Sequence, residues 1–172
     1  NRKLLGITEL SVWLTEEYLK RNLASDERKL ILSYSEAGNY VGLLAYISEL
    51  IIHYPALPIL HNIAAAIHYN SNNFEGAISC FQRSLILNPE SHDANLGIAR
   101  SLASLSRFKE ATRYFENALD VQPNSLVALQ YLGATLASLG QLKEAEMVFL
   151  NAIEKHPAEE DSYLQLAKLL QK

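Results

Sequence analysis

Histidine, cysteine and clustered carboxylates are the side chains with which a chain of this size could do chemistry. His61 and His68 stand seven residues apart on one helix face, a separation that superficially resembles a metal-ligand pair. A zinc site needs three or four protein ligands, and no third ligand accompanies them in sequence. They read as core or half-buried histidines, and no metal is expected. Cys80 is the only cysteine, which excludes an internal disulfide, and with no histidine beside it the thiol reads as passive and packed. Glu159, Glu160 and Asp161 form an acidic run, but at the start of a helix such a run is what the macrodipole favours. No phosphate-cradling loop, dinucleotide fingerprint, zinc-protease motif or nucleophile elbow occurs. Neither catalysis nor a cofactor is expected within these residues.

Composition narrows the field further. The 172 residues are 49% hydrophobic and 20% charged, the balance of a folded chain rather than a disordered one. With 7 Gly and 5 Pro the chain is too poor in turn formers for a loop-rich all-β fold. The formal net charge is −4 and the basic residues are scattered, so neither nucleic acid nor a membrane surface is an expected partner. The longest apolar runs, such as residues 63–67, are far short of a membrane span. No signal-peptide pattern and no Asn-x-Ser/Thr acceptor is present, and a cytoplasmic, intracellular location is expected. The first residue is Asn rather than Met, as expected of a fragment of a longer protein.

The elements that would position any site follow from an internal repeat. Pro55, Pro89, Pro123 and Pro157 recur every 34 residues. In the same register stand Ala77, Ala111 and Ala145, then Phe81, Phe115 and Phe149, then Ser84, Ala118 and Ala152. Ile59, Leu60, Ile63, Ala64 and Ile67 have the three-and-four spacing of an amphipathic helix. Turn formers at residues 70–73 end it, and a second helix follows with Phe74, Ala77, Ile78, Phe81 and Leu85 on one face. Pro89 cannot continue that helix. Ser91 and Ser125 are placed to cap the next first helices, and Ser25 is read as the cap of an earlier one. That earlier helix carries Leu30, Ile31 and Tyr34, Gly38 makes its turn, and residues 40–53 form its partner with Leu43, Ile47 and Leu50 facing in.

This period and these residues resemble the tetratricopeptide repeat. The small–aromatic–small–proline pattern of that family's second helix is filled by the Ala, Phe, small and Pro positions above, and Leu132-Gly133 matches its first-helix Leu-Gly. Its usual Trp is replaced by His61, Asn95 and Leu129, and its usual Tyr by His68, Leu102 and Leu136. The resemblance implies an all-α, right-handed superhelical α-solenoid of stacked helix–turn–helix units. The expected organisation is a capping helix or remnant of an earlier repeat at 1–23, a degenerate repeat at 24–57, full repeats at 58–91, 92–125 and 126–159, and a C-terminal capping helix at 160–172. In the last helix Tyr163, Leu166, Ala167 and Leu170 are expected to face inward.

The family's first helices line a concave groove that holds partner segments. By position, Arg28, Asn62, Tyr69, Arg100, Gln130, Tyr131 and Lys168 are the candidate partner-binding residues, expected to project out of the core together with Ile59, Ile63 and Ala66. The family's clamp for a C-terminal carboxylate needs Lys and Asn at the fifth and ninth repeat positions. Arg28 with Leu32, or Asn62 with Ala66, does not supply it, so a chaperone-tail receptor is not expected. The resemblance implies a non-catalytic scaffold for a protein or peptide partner. The alternative is a substrate-recruiting or regulatory arm of a larger enzyme such as a glycosyl- or methyltransferase. Trp13 with Tyr18, and Val12 with Leu19, form two strips on the first expected helix, one of which could mediate a homodimer.

Overall fold

The computed structural model describes residues 23–171, and the expected helix over residues 8–22 lies outside them. Among the described residues there are nine α-helices and no strand. They fall into two compact units that divide between Pro89 and Glu90. The first unit holds α1 (Ser25–Glu36), α2 (Tyr40–His53), α3 (Pro58–Asn70) and α4 (Phe74–Leu87). The second holds α5 (His92–Ser104), α6 (Phe108–Val121), α7 (Leu126–Ser138), α8 (Leu142–Lys155) and α9 (Glu160–Leu170). Within each unit, consecutive helices pack on one another; in the second, α5 also touches α7 and α7 touches α9, so its first helices form a layer.

The helix pairs close because their second helices are narrow where they meet their partners. Ala77, Ala111, Ala145, Ala118 and Ala152 are fully buried, and so are the Phe81, Phe115 and Phe149 rings between them. Gly133 takes this furthest: a Cβ there would lie 2.7 Å from the Phe149 ring, so Phe149 is seated directly on α7 backbone. In the first pair, Leu43, Ile47 and Leu50 are buried in place of the small and aromatic residues, and Tyr34 lies against Tyr46 with ring centroids 6.2 Å apart. Of the residues expected inside α1, only Ile31 is buried; Leu30 is exposed and Tyr34 half-buried.

Each first helix ends the same way. Gly38, Asn72, Ser106 and Gly140, again 34 residues apart, have φ of 65°, 59°, 59° and 78°. The following N–H groups of Asn39, Asn73, Arg107 and Gln141 return to the carbonyls of Tyr34, His68, Leu102 and Leu136 at 2.9–3.0 Å, closing each helix C-terminus. Glycine adopts this left-handed conformation freely, asparagine tolerates it, and serine is strained.

The second helices start by two devices. Asn39 and Asn73 each accept the N–H of the glycine three residues on, Gly42 and Gly76, at 3.0 Å. In the next repeat Arg107 grips Glu110 with two 2.7 Å hydrogen bonds, which holds that carboxyl below the usual range. Ser91 and Ser125 cap α5 and α7 as expected, accepting from Ala94 and Ala128. Ser25 does not cap α1. Ala24 precedes the helix and has no side-chain acceptor, so Glu27 reaches back to accept its N–H at 2.8 Å. Between α6 and α7 the turn is pinned from both sides: His156 Nε2 donates to the Asn124 carbonyl at 2.7 Å, and His92 Nε2 lies 2.9 Å from the Ser125 hydroxyl.

The inward face of α9 is not the one expected. Ser162 and Leu169 are buried, whereas Tyr163 is 46% and Leu170 65% exposed, with Ala167 exposed and Leu166 half-buried. In the repeat register Tyr163, Leu166, Ala167 and Leu170 are the positions at which a first helix meets its own second helix. Among the described residues α9 packs only on α8 and α7, through its other side.

Phe115→Ala should cost about 3–5 kcal/mol in chemical denaturation, as a large-to-small change at a fully buried site. Ser106→Gly should instead stabilise by about 0.5–1 kcal/mol, read as a rise of a few degrees in Tm, because relief of left-handed strain outweighs the added chain entropy.

Candidate functional site

The sequence-selected groove residues meet different fates in the two units. In the first unit the Arg28 guanidinium donates to the Leu23 carbonyl at 2.9 Å, tying it to the chain entering α1. Asn62 is not a groove residue open to solvent: it is only 5% exposed and its Oδ1 accepts no hydrogen bond. Ile59, Ile63 and Ala66, expected to project outward, are buried as well. The reason is that α3 packs against both α2 and α4, so most of its circumference is enclosed. Tyr69 is half-buried and meets Phe74 edge to face, centroids 5.3 Å apart.

The second unit gathers the others into one arrangement on the first-helix layer. Tyr131 on α7 lies nearly parallel to Phe115 of α6, with centroids 6.0 Å apart and planes at 13°. The Arg100 guanidinium of α5 lies over the same ring, 4.9 Å from its centroid. Arg100 is 7% exposed, a correction to its expected projection into solvent. Tyr131 holds the cation against its ring, and burial lowers the Arg100 pKa while Tyr131 opposes that shift. Gln130, one residue before Tyr131, donates from Nε2 to the buried Ser162 hydroxyl at 3.2 Å, so part of its amide links α7 to α9.

Lys168 remains exposed, at the edge of a cavity of about 580 Å³ between α7 and α9. Ala134, Ala137, Phe149, Gln165 and Leu169 also line it, and of the lining residues only Lys168 is among the partner-binding candidates read from the sequence. The signal was present in the register, where Ala134 aligns with Arg100 and Ala137 with Tyr69.

The residues first considered for chemistry are dispersed. His61 is half-buried and held below the ordinary histidine pKa, chiefly by burial and further by Arg83, with a hydrogen bond to the Pro55 backbone opposing. His68 Nδ1 is 3.1 Å from the Asn73 amide nitrogen, which donates to it. Burial pushes the Cys80 thiol pKa up, away from reactivity. Among the described residues no group of three or more His, Cys, Asp or Glu is placed to hold a metal ion, and no helix is long and apolar enough to cross a membrane.

This architecture is an all-α solenoid of helix–turn–helix units. Residues 58–91 match one family model of the tetratricopeptide repeat and residues 96–160 match another, more than half of the chain together. The chain belongs to the tetratricopeptide repeat family. Among solved structures it is similar to MamA (residue 41 to the end) from Desulfovibrio magneticus RS-1, with a TM-score of 0.78, 20% identity and coverage of 83% of this chain and 81% of that one. A thermophilic tetratricopeptide protein of Thermus thermophilus matches with a TM-score of 0.72 and 20% identity over 98% of this chain and 96% of its own. YrrB, described as having an unusual peptide-binding site, matches with a TM-score of 0.72 and 19% identity over 89% and 80%. At these identities the likeness is one of fold. A search of the curated proteins by sequence finds no significant match.

Because the folded pKa of His61 lies below its ordinary value near 6.5, the folded state resists its protonation. Stability carried by neutral His61 is complete above that value and is lost as pH falls below it toward the lowered folded pKa. Denaturation midpoints measured across this range should fall less steeply for His61→Asn than for the parent chain.

Proposed function

We propose that the chain is a non-catalytic protein-interaction scaffold that holds a partner segment along its first helices. The repeats at 24–57, 58–91, 92–125 and 126–159 and the helix at 160–172 are the units of that scaffold. The observation that carries this reading is the Arg100–Tyr131–Phe115 stack. A guanidinium held against an aromatic ring is pre-organised for a carboxylate or a backbone carbonyl, and pre-organisation lowers the entropy lost on binding. Tyr131 and Arg100 are also residue types enriched in binding hot spots. Lys168 adds a second cation on the same layer, and Gln130 keeps an amide oxygen able to accept from a partner. The peptide-binding description of YrrB supports the reading by analogy of fold.

A peptide-array screen of the parent chain against the double variant Arg100→Met/Lys168→Met tests it. Methionine keeps the apolar stem over Tyr131 and removes the charge, a replacement that buried charged sites commonly tolerate. Capture should fall by tenfold or more, on the order of 1.4 kcal/mol, with helical content unchanged. Equal capture by the two proteins would move the binding surface away from this layer.

A further inference from the structure

The two inter-repeat sites of the second unit are built on the same register and differ in what fills them. Subtracting one 34-residue period from the walls of the cavity between α7 and α9 maps Phe149 onto Phe115, Gln165 onto Tyr131 and Ala134 onto Arg100. At the earlier site the space beside the phenylalanine is occupied by the Tyr131 ring, with the Arg100 guanidinium 4.9 Å from that ring's centroid. At the later site the tyrosine has become an amide and the arginine a methyl group, and a cavity of about 580 Å³ stands there. Beside it, Gly133 replaces the Ala99 of the earlier repeat, and Phe149 lies so close to α7 that a Cβ at Gly133 would be 2.7 Å from its ring.

The geometry points to this cavity as a subsite for one aromatic side chain of an extended partner peptide. The chain carries a template of the occupant one repeat earlier: a flat ring over phenylalanine with a cation above it. Among the described residues that line the cavity, Lys168 is the one charged side chain and none is a carboxylate. It is placed to lie over an inserted ring or to meet an acidic group beside it. The cavity volume falls in the range of small-ligand pockets, which take predominantly apolar groups with a few polar contacts at the rim. Gln165 and the Ser138 hydroxyl supply such contacts. This inference rests on the scaffold reading above and adds to it the chemistry of the partner's anchoring residue.

The test uses the full chain with labelled alanine methyl groups and capped peptides of sequence Ala-Asp-Xaa-Ala. Xaa is Tyr, Trp, cyclohexylalanine, leucine or alanine. Tyr and Trp peptides should move the Ala134 and Ala137 methyl resonances upfield through ring currents. They should bind about tenfold more tightly than the leucine and cyclohexylalanine peptides, which lack the π-face. Gln165→Tyr rebuilds the earlier site's ring inside the cavity and should abolish that binding while preserving or raising Tm. Ala134→Met, a second filling variant, should do the same. Equal binding of tyrosine and cyclohexylalanine peptides, absence of methyl shifts with any peptide, or full binding by both filling variants would overturn the inference. Its failure is separable from that of the scaffold reading. If Arg100→Met/Lys168→Met loses array capture while Gln165→Tyr retains it, the cavity is wrong and the layer stands. The reverse outcome keeps the cavity and removes the charged layer.

Discussion

The close approach of each first helix to its second is the constraint on which the remaining structure depends. At Ala111, Phe115 and Ala118 no side-chain surface remains exposed, so α6 has no slack in its position against its neighbours. Phe115 is large enough to fill the pair and still present a face to the next first helix, where Tyr131 lies on it. The Arg100 guanidinium then rests on Tyr131. A fixed guanidinium on the layer is thus a consequence of methyl-sized residues in a helix it never touches as a ligand would. Enlarge those positions and the whole sequence of contacts would be displaced, because packed interiors adjust in discrete rearrangements rather than by gradual yielding.

Much of this was legible in the residues. The proline spacing and the Ala–Phe–small register identified the repeat and its buried positions, and Ser91, Ser125 and Gly38 fell into the roles their types suggest. Three readings failed for physical reasons that periodicity does not carry. Ser25 looked like a cap by type, but capping depends on where the backbone leaves the extended region, and Ala24 occupies that place. Asn62 and Arg100 looked exposed because polar residues on a first helix are assigned to the groove, yet α3 is enclosed by two helices and Arg100 by an aromatic ring. The α9 face was assigned inward because its register says so, and register describes a partner helix whether or not one follows.

The repeats therefore separate two kinds of position. Where the residue keeps its type through the later repeats, as the alanines of the first small position and the phenylalanines do, it supports packing. Where it changes from repeat to repeat, it alters which side chains the first-helix layer carries. Arginine at 100 against alanine at 134, and tyrosine at 131 against glutamine at 165, are such changes. Even the fold positions tolerate different solutions when the local demand is met, as the asparagine caps of α2 and α4 and the Arg107–Glu110 pair before α6 illustrate.

The placement of α9 has a consequence for where the chain opens. Held by one side against α7 and α8, with Tyr163 and Leu170 largely in water, it contributes fewer buried contacts per turn than the other helices of its unit. In an array whose cohesion comes from nearest neighbours, the free energy of local opening is smallest at such a helix. Within that unit its amide hydrogens are then the first to exchange with solvent, and its backbone the first that a protease can draw into an extended form. The cavity shares α9 as a wall, so an occupant would tie that helix to α7 and slow both processes. Recognition and the persistence of this unit would be governed by one shared equilibrium, the docking of α9.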